Sequence, residues 1–427
     1  MLSWPAIVRL GLVQAALGSI VVLTTSTLNR VMVVELALPA VLVGLLVALH
    51  YGVQISRPTW GFASDTGGRR TRWIVGGMLL LALGALAAAG AVLIFPLSFA
   101  LGMTVSVLAY ATIGLGVGAS GTSLLALLAT GARPDRRAAA GTITWLMMIA
   151  GIAVTAGCVG AALDPYSPER LLAVVAVVVA LAFAITCLAV RGVERRIGPA
   201  APQPEPAPLW HGMREVWGEP RARAFTGFVL LSMVAYFMQE LILEPYAGLA
   251  YGLTPGQTTS LSGAQNGGVF VGMLTVGIAA SGLRLGSLRT WVTTGCLLSA
   301  AALVAIVVLG QSARAVPLLP AVVALGFANG VFAVAAIAAM MQLAGEGRAR
   351  REGTRMGLWG AAQALAAGFG GLLGAALADA FRLFLDDSAA FGTVFLIEAA
   401  LFVAAAALAL RIMNAGSRSV ARLVAGE

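Results

Sequence analysis

The sequence predicts an all-α membrane protein of twelve transmembrane helices, arranged as two six-helix pseudo-repeats. Three observations carry this expectation. Of the 427 residues, 59% are hydrophobic and only 11% charged, against about 25% charged in soluble chains. Apolar runs of about 20 residues, long enough to cross a bilayer, recur along the whole length. A proline-rich polar stretch near the midpoint leaves six such runs on either side.

The runs cover 7–28, 38–60, 73–95, 99–128, 139–162, 169–191, 223–245, 258–280, 287–309, 315–342, 354–380 and 388–411. The first leads straight into the series, so no cleaved signal peptide is expected. Lysine is absent, and all 27 basic residues are arginine. Arg30, Arg170, Arg314 and Arg382 fall on one side, and the other 23 share a side with both termini. The positive-inside rule then makes both termini cytoplasmic. It also explains the net charge of +9. The basic partner surface is therefore a lipid bilayer, and no nucleic acid is expected.

Residues 1–191 form the first six-helix half and 223–412 the second, with 413–427 a cytoplasmic tail. The connection 192–222 begins "GVERRIGPAAPQPEPAPLW", whose alternating prolines favour an extended spacer. Trp210 and Trp217 follow beside Arg214, Arg221 and Arg223, the pattern of a short helix lying at the interface. "RRAAAGT" before the fifth run and "RREGT" before the eleventh hint at internal repetition. Six plus six helices around a cytoplasmic linker is the arrangement of major facilitator proteins, whose halves are parallel repeats.

Between the second and third runs stands "GFASDTGGRR". It resembles the facilitator signature Gly-x-x-x-Asp-Arg-x-Gly-Arg-Arg through Gly61, Asp65, Gly68, Arg69 and Arg70, with Thr66 where arginine is usual. Glycines permit a tight turn, and Asp65 can accept from arginines or a helix N-terminus. Such contacts suit a gate, and equally a structural turn in a positive-inside loop. The second-half counterpart, Ser281–Thr290, has no aspartate.

The seventh run ends in "MQELILEPY", Met238 to Tyr246. Glu240 is expected about 25 Å along the helix from Arg223 at 1.5 Å per residue, in the outer third. Glu244 is expected at the outer boundary and hydrated, with Pro245 ending or kinking the helix. Glu240 and Glu244 share a face. A carboxylate within the bilayer faces the bundle or a cavity, as a gating group or as a satisfied interhelical contact.

Residues Gln239–Thr259, "QELILEPYAGLAYGLTPGQTT", resemble the helix 7–8 signature of PucC-type proteins, the bacteriochlorophyll-delivery family of the facilitator superfamily. Gln239, Glu244 and Pro245 match the pattern, while Glu240 replaces an aspartate and Ala247 a glycine. "TLNRVMVVELALPA" (Thr27–Ala40) and "ALHYGVQISRPTWGFASD" (Ala48–Asp65) are similar to the family's first loop and second helix. The loop after Asp65 is shorter than in many members, which marks a distinct subgroup. The resemblance implies a multi-pass protein of the bacterial inner, intracytoplasmic membrane. It implies handling of bacteriochlorophyll or a precursor as cargo, with light-harvesting polypeptides and bacteriochlorophyll synthase as partners.

A magnesium tetrapyrrole needs an axial ligand and an apolar slot. His211 lies in the linker and reads as solvated. His50 is expected near the midplane of the second helix, with Gln54 and Arg57 on the same face and Tyr51 beside it. Three roles stay open for it: an interhelical hydrogen bond, a ligand to pigment magnesium, or a proton relay. Gln14, Gln265, Asn266, Asn329 and Gln363 are further polar groups inside apolar runs, of the kind that joins membrane helices. Cys158, Cys187 and Cys296 match no metal or redox spacing. The glycine-rich runs Gly114–Gly121 and Gly368–Gly374 suit close helix packing. No nucleophile–base pair or cofactor fingerprint stands out, so no enzymatic activity is expected. The alternatives to pigment delivery are an ion-coupled exporter of a small metabolite and a scaffold that moves nothing.

Overall fold

The computed structural model describes residues 2–57, 60, 69–133, 137–194, 217–283, 285–311, 318–346 and 352–425. Among these, twelve long helices follow one another: α1 (Trp4–Glu35), α2 (Ala40–Ser56), α3 (Arg70–Ile94), α4 (Phe99–Gly131), α5 (Arg137–Ala162), α6 (Pro168–Val190), α7 (Pro220–Tyr251), α8 (Pro255–Val276), α9 (Leu288–Gln311), α10 (Leu319–Glu346), α11 (Glu352–Arg382) and α12 (Asp387–Ala425). Ten have described stretches long and apolar enough to cross a membrane. Backbone hydrogen bonds closed within each helix are what a bilayer demands, so the apolar runs become helices.

Two compact units account for the packing. One holds 1–202 together with Glu240–Gly267, and the other holds Gln203–Gln239 with Gly268–Glu427. In the first unit α3 packs on α4 and α6, α1 on α5 and α6, and α2 on α4. Gly77 and Gly116 let α3 and α4 meet backbone to backbone. A methyl built on Gly116 would stand 2.5 Å from the Leu81 nitrogen. In the second unit α9 packs on α10 and α12, and α11 on α12. Gly374 brings α11 against α7, where an added methyl would meet the Met238 carbonyl at 2.5 Å. Both glycine-rich runs thus pack helices closely.

Two expected ends move. α1 does not stop at residue 28. It passes through a π-turn at Leu23–Thr27, and a second at Val31–Glu35, before it ends. The Thr27–Ala40 patch expected as a loop is therefore helical to Glu35, and Arg30 is a buried helical residue. At the π-turn the Tyr110 hydroxyl of α4 donates to the Thr24 carbonyl at 2.8 Å. α7 likewise does not end at Pro245 but carries it internally and runs on to Tyr251.

Candidate functional site

The polar run Thr24–Arg30 of α1 is entirely buried. In the first unit it lies along the Glu240–Gly267 segment as a continuous polar seam. Ser26 donates to Glu244, and its hydroxyl also lies 3.0 Å from that of Ser262 on α8. Thr258 and Arg30 stand near the same carboxylate, and Thr25 stands beside Glu240. Thr259 donates to Thr27 at 3.2 Å.

Asn29 explains how Pro245 fits inside a helix. Proline lacks the N–H that would bond the carbonyl four residues back. That carbonyl belongs to Leu241, and Asn29 Nδ2 donates to it at 2.7 Å. A buried α1 side chain thus replaces the missing backbone donor, as a membrane interior requires.

Arg30 holds the end of α7. Its Nη1 pairs with Glu35, and its Nη2 donates to the Leu253 carbonyl at 2.7 Å. Cationic groups are favoured at helix C-termini. Gly248 leaves the room: a methyl there would stand 3.0 Å from Arg30 Nη2. Gly252, at φ +67°, turns the chain out of the helix, a left-handed exit that glycine takes without strain. Beyond it, Thr254 donates to Asp164 at 2.8 Å, and Gly256 lies against Gly160 of α5. Tyr166, in the loop between α5 and α6, is pushed up to about 12 by burial, with Glu35 and Glu169 adding and Arg30 opposing.

The burial of the two glutamates differs from the expected order. Glu244 is only 3% exposed, whereas Glu240 is half-buried. The reason is the length of α1 and α7: both continue past Pro245, so α1 covers Glu244 where water was expected. Gln239 is buried with Oε1 unpartnered.

His50, Gln54 and Arg57 do form one face. Arg57 donates to Gln54 Oε1, and Gln54 Nε2 lies 3.0 Å from His50 Nε2. Arginine can only donate, so it fixes the amide orientation. Gln54 Nε2 must then donate, and His50 Nε2 must accept. The imidazole proton sits on Nδ1, which is buried without a partner. In this arrangement the Nε2 lone pair of His50 is engaged by Gln54. The Tyr51 ring packs edge-on against His50.

Of the loop motif, Gly61, Asp65 and Gly68 lie outside the described residues, as do His211 and Trp210. Arg69 is extended and Arg70 opens α3. Glu194, which sequence reasoning passed over, caps that helix. It accepts from the Arg70 amide at 2.5 Å and from the Thr71 hydroxyl at 2.6 Å. Arg70 Nη1 donates to the Ala126 carbonyl of α4. Among the other amides, Gln14 Nε2 donates to Met148 Sδ, Asn266 bonds within its own helix and Asn329 accepts from Ser299. No bond is described for Gln265 or Gln363. The three cysteines are free thiols.

Among the described residues no cluster of three metal-ligating side chains occurs. The seam is a row of hydroxyls, amides and carboxyls joining helices.

Comparison with known proteins fits this geometry. The PUCC protein family matches residues 27–417. The chain is 65% identical, over the full length of both, to the "Bacteriochlorophyll synthase 44.5 kDa chain" of Rhodobacter capsulatus. It is 30% identical to "Protein PucC" of the same organism, over 96% of this chain and 93% of that one. Among solved structures, a bacterial homologue of the human lysosomal transporter Spinster superposes with a TM-score of 0.72 at 14% identity, covering 96% of this chain and 98% of that one. A bacterial homologue of the drug peptide transporters PepT1 and PepT2 gives 0.72 at 14%, over 97% and 99%. At such identities the likeness is one of fold, and the fold is that of the major facilitators.

Proposed function

The chain belongs to the PUCC protein family, and from that premise we propose that it handles bacteriochlorophyll or a precursor in the bacterial inner membrane. It acts as a non-catalytic partner of the pigment synthase and of light-harvesting polypeptides, delivering pigment during antenna assembly. The observation that carries this reading is the full-length, 65% identity to a chain named for bacteriochlorophyll synthase. The facilitator fold is compatible with a carrier role, by analogy with the transporters that share it. Both termini and the 192–222 linker are cytoplasmic in this reading, following the arginine asymmetry. The fold alone serves a small-metabolite exporter equally well; the family favours pigment.

Deletion of the gene tests the proposal. Pigment synthesis through its final chemical step is expected to continue, while the yield of assembled light-harvesting complex falls. Accumulation of one precursor, with a single chemical step blocked, would instead make the chain a catalytic component. An unchanged antenna yield would remove the delivery role.

A further inference from the structure

α12 carries a carboxyl in the middle of its apolar span, within "AAFGTVFLIEAALFVAAAAL". Glu398 is 0% exposed, and neither of its oxygens has a hydrogen-bond partner. Along the helix it stands about 16 Å from Asp387 and about 20 Å from Arg411, at 1.5 Å per residue. Other charged groups described on the helices packed around it also lie toward helix ends: Arg289 on α9, and Asp379 and Arg382 on α11. Among the described residues, Cys296 of α9 is also buried there.

The register of α9 on α12 locates Glu398 more closely. Ser388 donates to the Gly310 carbonyl at 3.3 Å, and Gly392 lies against Val307. Continuing this antiparallel register puts Glu398 level with Ala300, next to the buried Ser299. Ser299 donates to Asn329 Oδ1 of α10 at 2.9 Å. The other end of that amide, Asn329 Nδ2, is buried and unpartnered. At one depth of the second unit there are thus two unmatched and complementary groups, a carboxyl and an amide donor. Their surroundings are apolar, with Phe332 stacked edge-on against Phe402.

An isolated carboxylate in such a place would lose its hydration with nothing to replace it, and the neutral acid is the form that burial tolerates. Intramembrane carboxyls mark proton relays and ion pathways. We propose that Glu398 is a proton-binding site of the second unit. Its carboxyl oxygen holds one proton in the conformation described. The O–H bond breaks, and the proton leaves to water, when α10 and α12 shift so that Asn329 Nδ2 donates to the resulting carboxylate. This site stands apart from the pigment reading and does not depend on it.

Infrared difference spectroscopy on the purified protein tests it, comparing wild type with Glu398→Gln at neutral pH. The neutral isostere is expected to fold with its thermal midpoint within a few degrees of wild type. Wild type is expected to show the carbonyl stretch of an un-ionised acid that the variant lacks, and that band is expected to shift in heavy water. Three results would overturn the proposal. Absence of the band means an ionised group. A band that does not shift in heavy water means a sealed structural acid. A Glu398→Gln chain that fails to fold means the charge itself is needed.

Discussion

Glu244 loses its water on folding, and α1 replaces that water with Ser26, backed by Ser262. Removing the carboxyl leaves those hydroxyls without their partner, and an orphaned buried polar group costs about 1–3 kcal/mol. Glu244→Leu is therefore expected to lower thermal stability in detergent by that amount. Glu240→Leu is expected to cost less, because Glu240 is less buried than Glu244. Equal losses in the two variants would contradict the exposure difference. His50 poses a different question. Its only described hydrogen-bond partner is Gln54, and Arg57 fixes the polarity of that bond. His50→Phe should cost about 0.6 kcal/mol, the average for a membrane hydrogen bond, with pigment per protein unchanged. A fall in pigment per protein at constant stability would make His50 a ligand after all.

At the scale of elements, Asn29 and Pro245 form one device. Asn29→Leu strands the Leu241 carbonyl, whereas Pro245→Ala restores the backbone donor that satisfies it. The loss from Asn29→Leu should thus shrink in the Pro245→Ala background, with a coupling of about 0.5–3 kcal/mol, the range for contacting residues. Additive losses would show that the two act separately. Sequence could not reveal this device, since proline read alone signals a helix end and the partner lies 216 positions earlier. The extension of α1 was hidden for a similar reason. "TTSTLNR" has the polarity of a loop, and only Tyr110, Glu244 and Leu253 make it affordable as a buried helix. Glu398 was missed because a single acid scarcely lowers the hydropathy of a long apolar run. The number and order of the helices, by contrast, were legible, because bilayer length and hydropathy dictate them without reference to partners.

For the whole molecule, packing does not follow the linker alone. The Glu240–Gly267 stretch, carrying the signature that marks the family, packs with the first unit, while the rest of α7 and α8 belongs to the second. The signature residues Glu244 and Pro245 thus owe their environment to α1, a helix of the first half. The small residues where α8 meets α5 should be correspondingly sensitive. Gly256→Val forces a side chain onto the Gly160 carbonyl, 2.5 Å from the added carbon. It should reduce folded protein by more than Gly227→Val, where nothing stands within 4 Å. Equal yields of the two variants would argue against tight α5–α8 packing.

The proposed function requires that this facilitator-fold chain bind a bacteriochlorophyll-type pigment. The absorption spectrum of the protein purified gently from its native membrane, with extracted pigment identified by mass, tests that most directly. A magnesium tetrapyrrole is expected to co-migrate with the folded chain at a fixed ratio and to be lost when the chain is unfolded. A folded, monodisperse chain without tetrapyrrole, in membranes that actively synthesise the pigment, would contradict it.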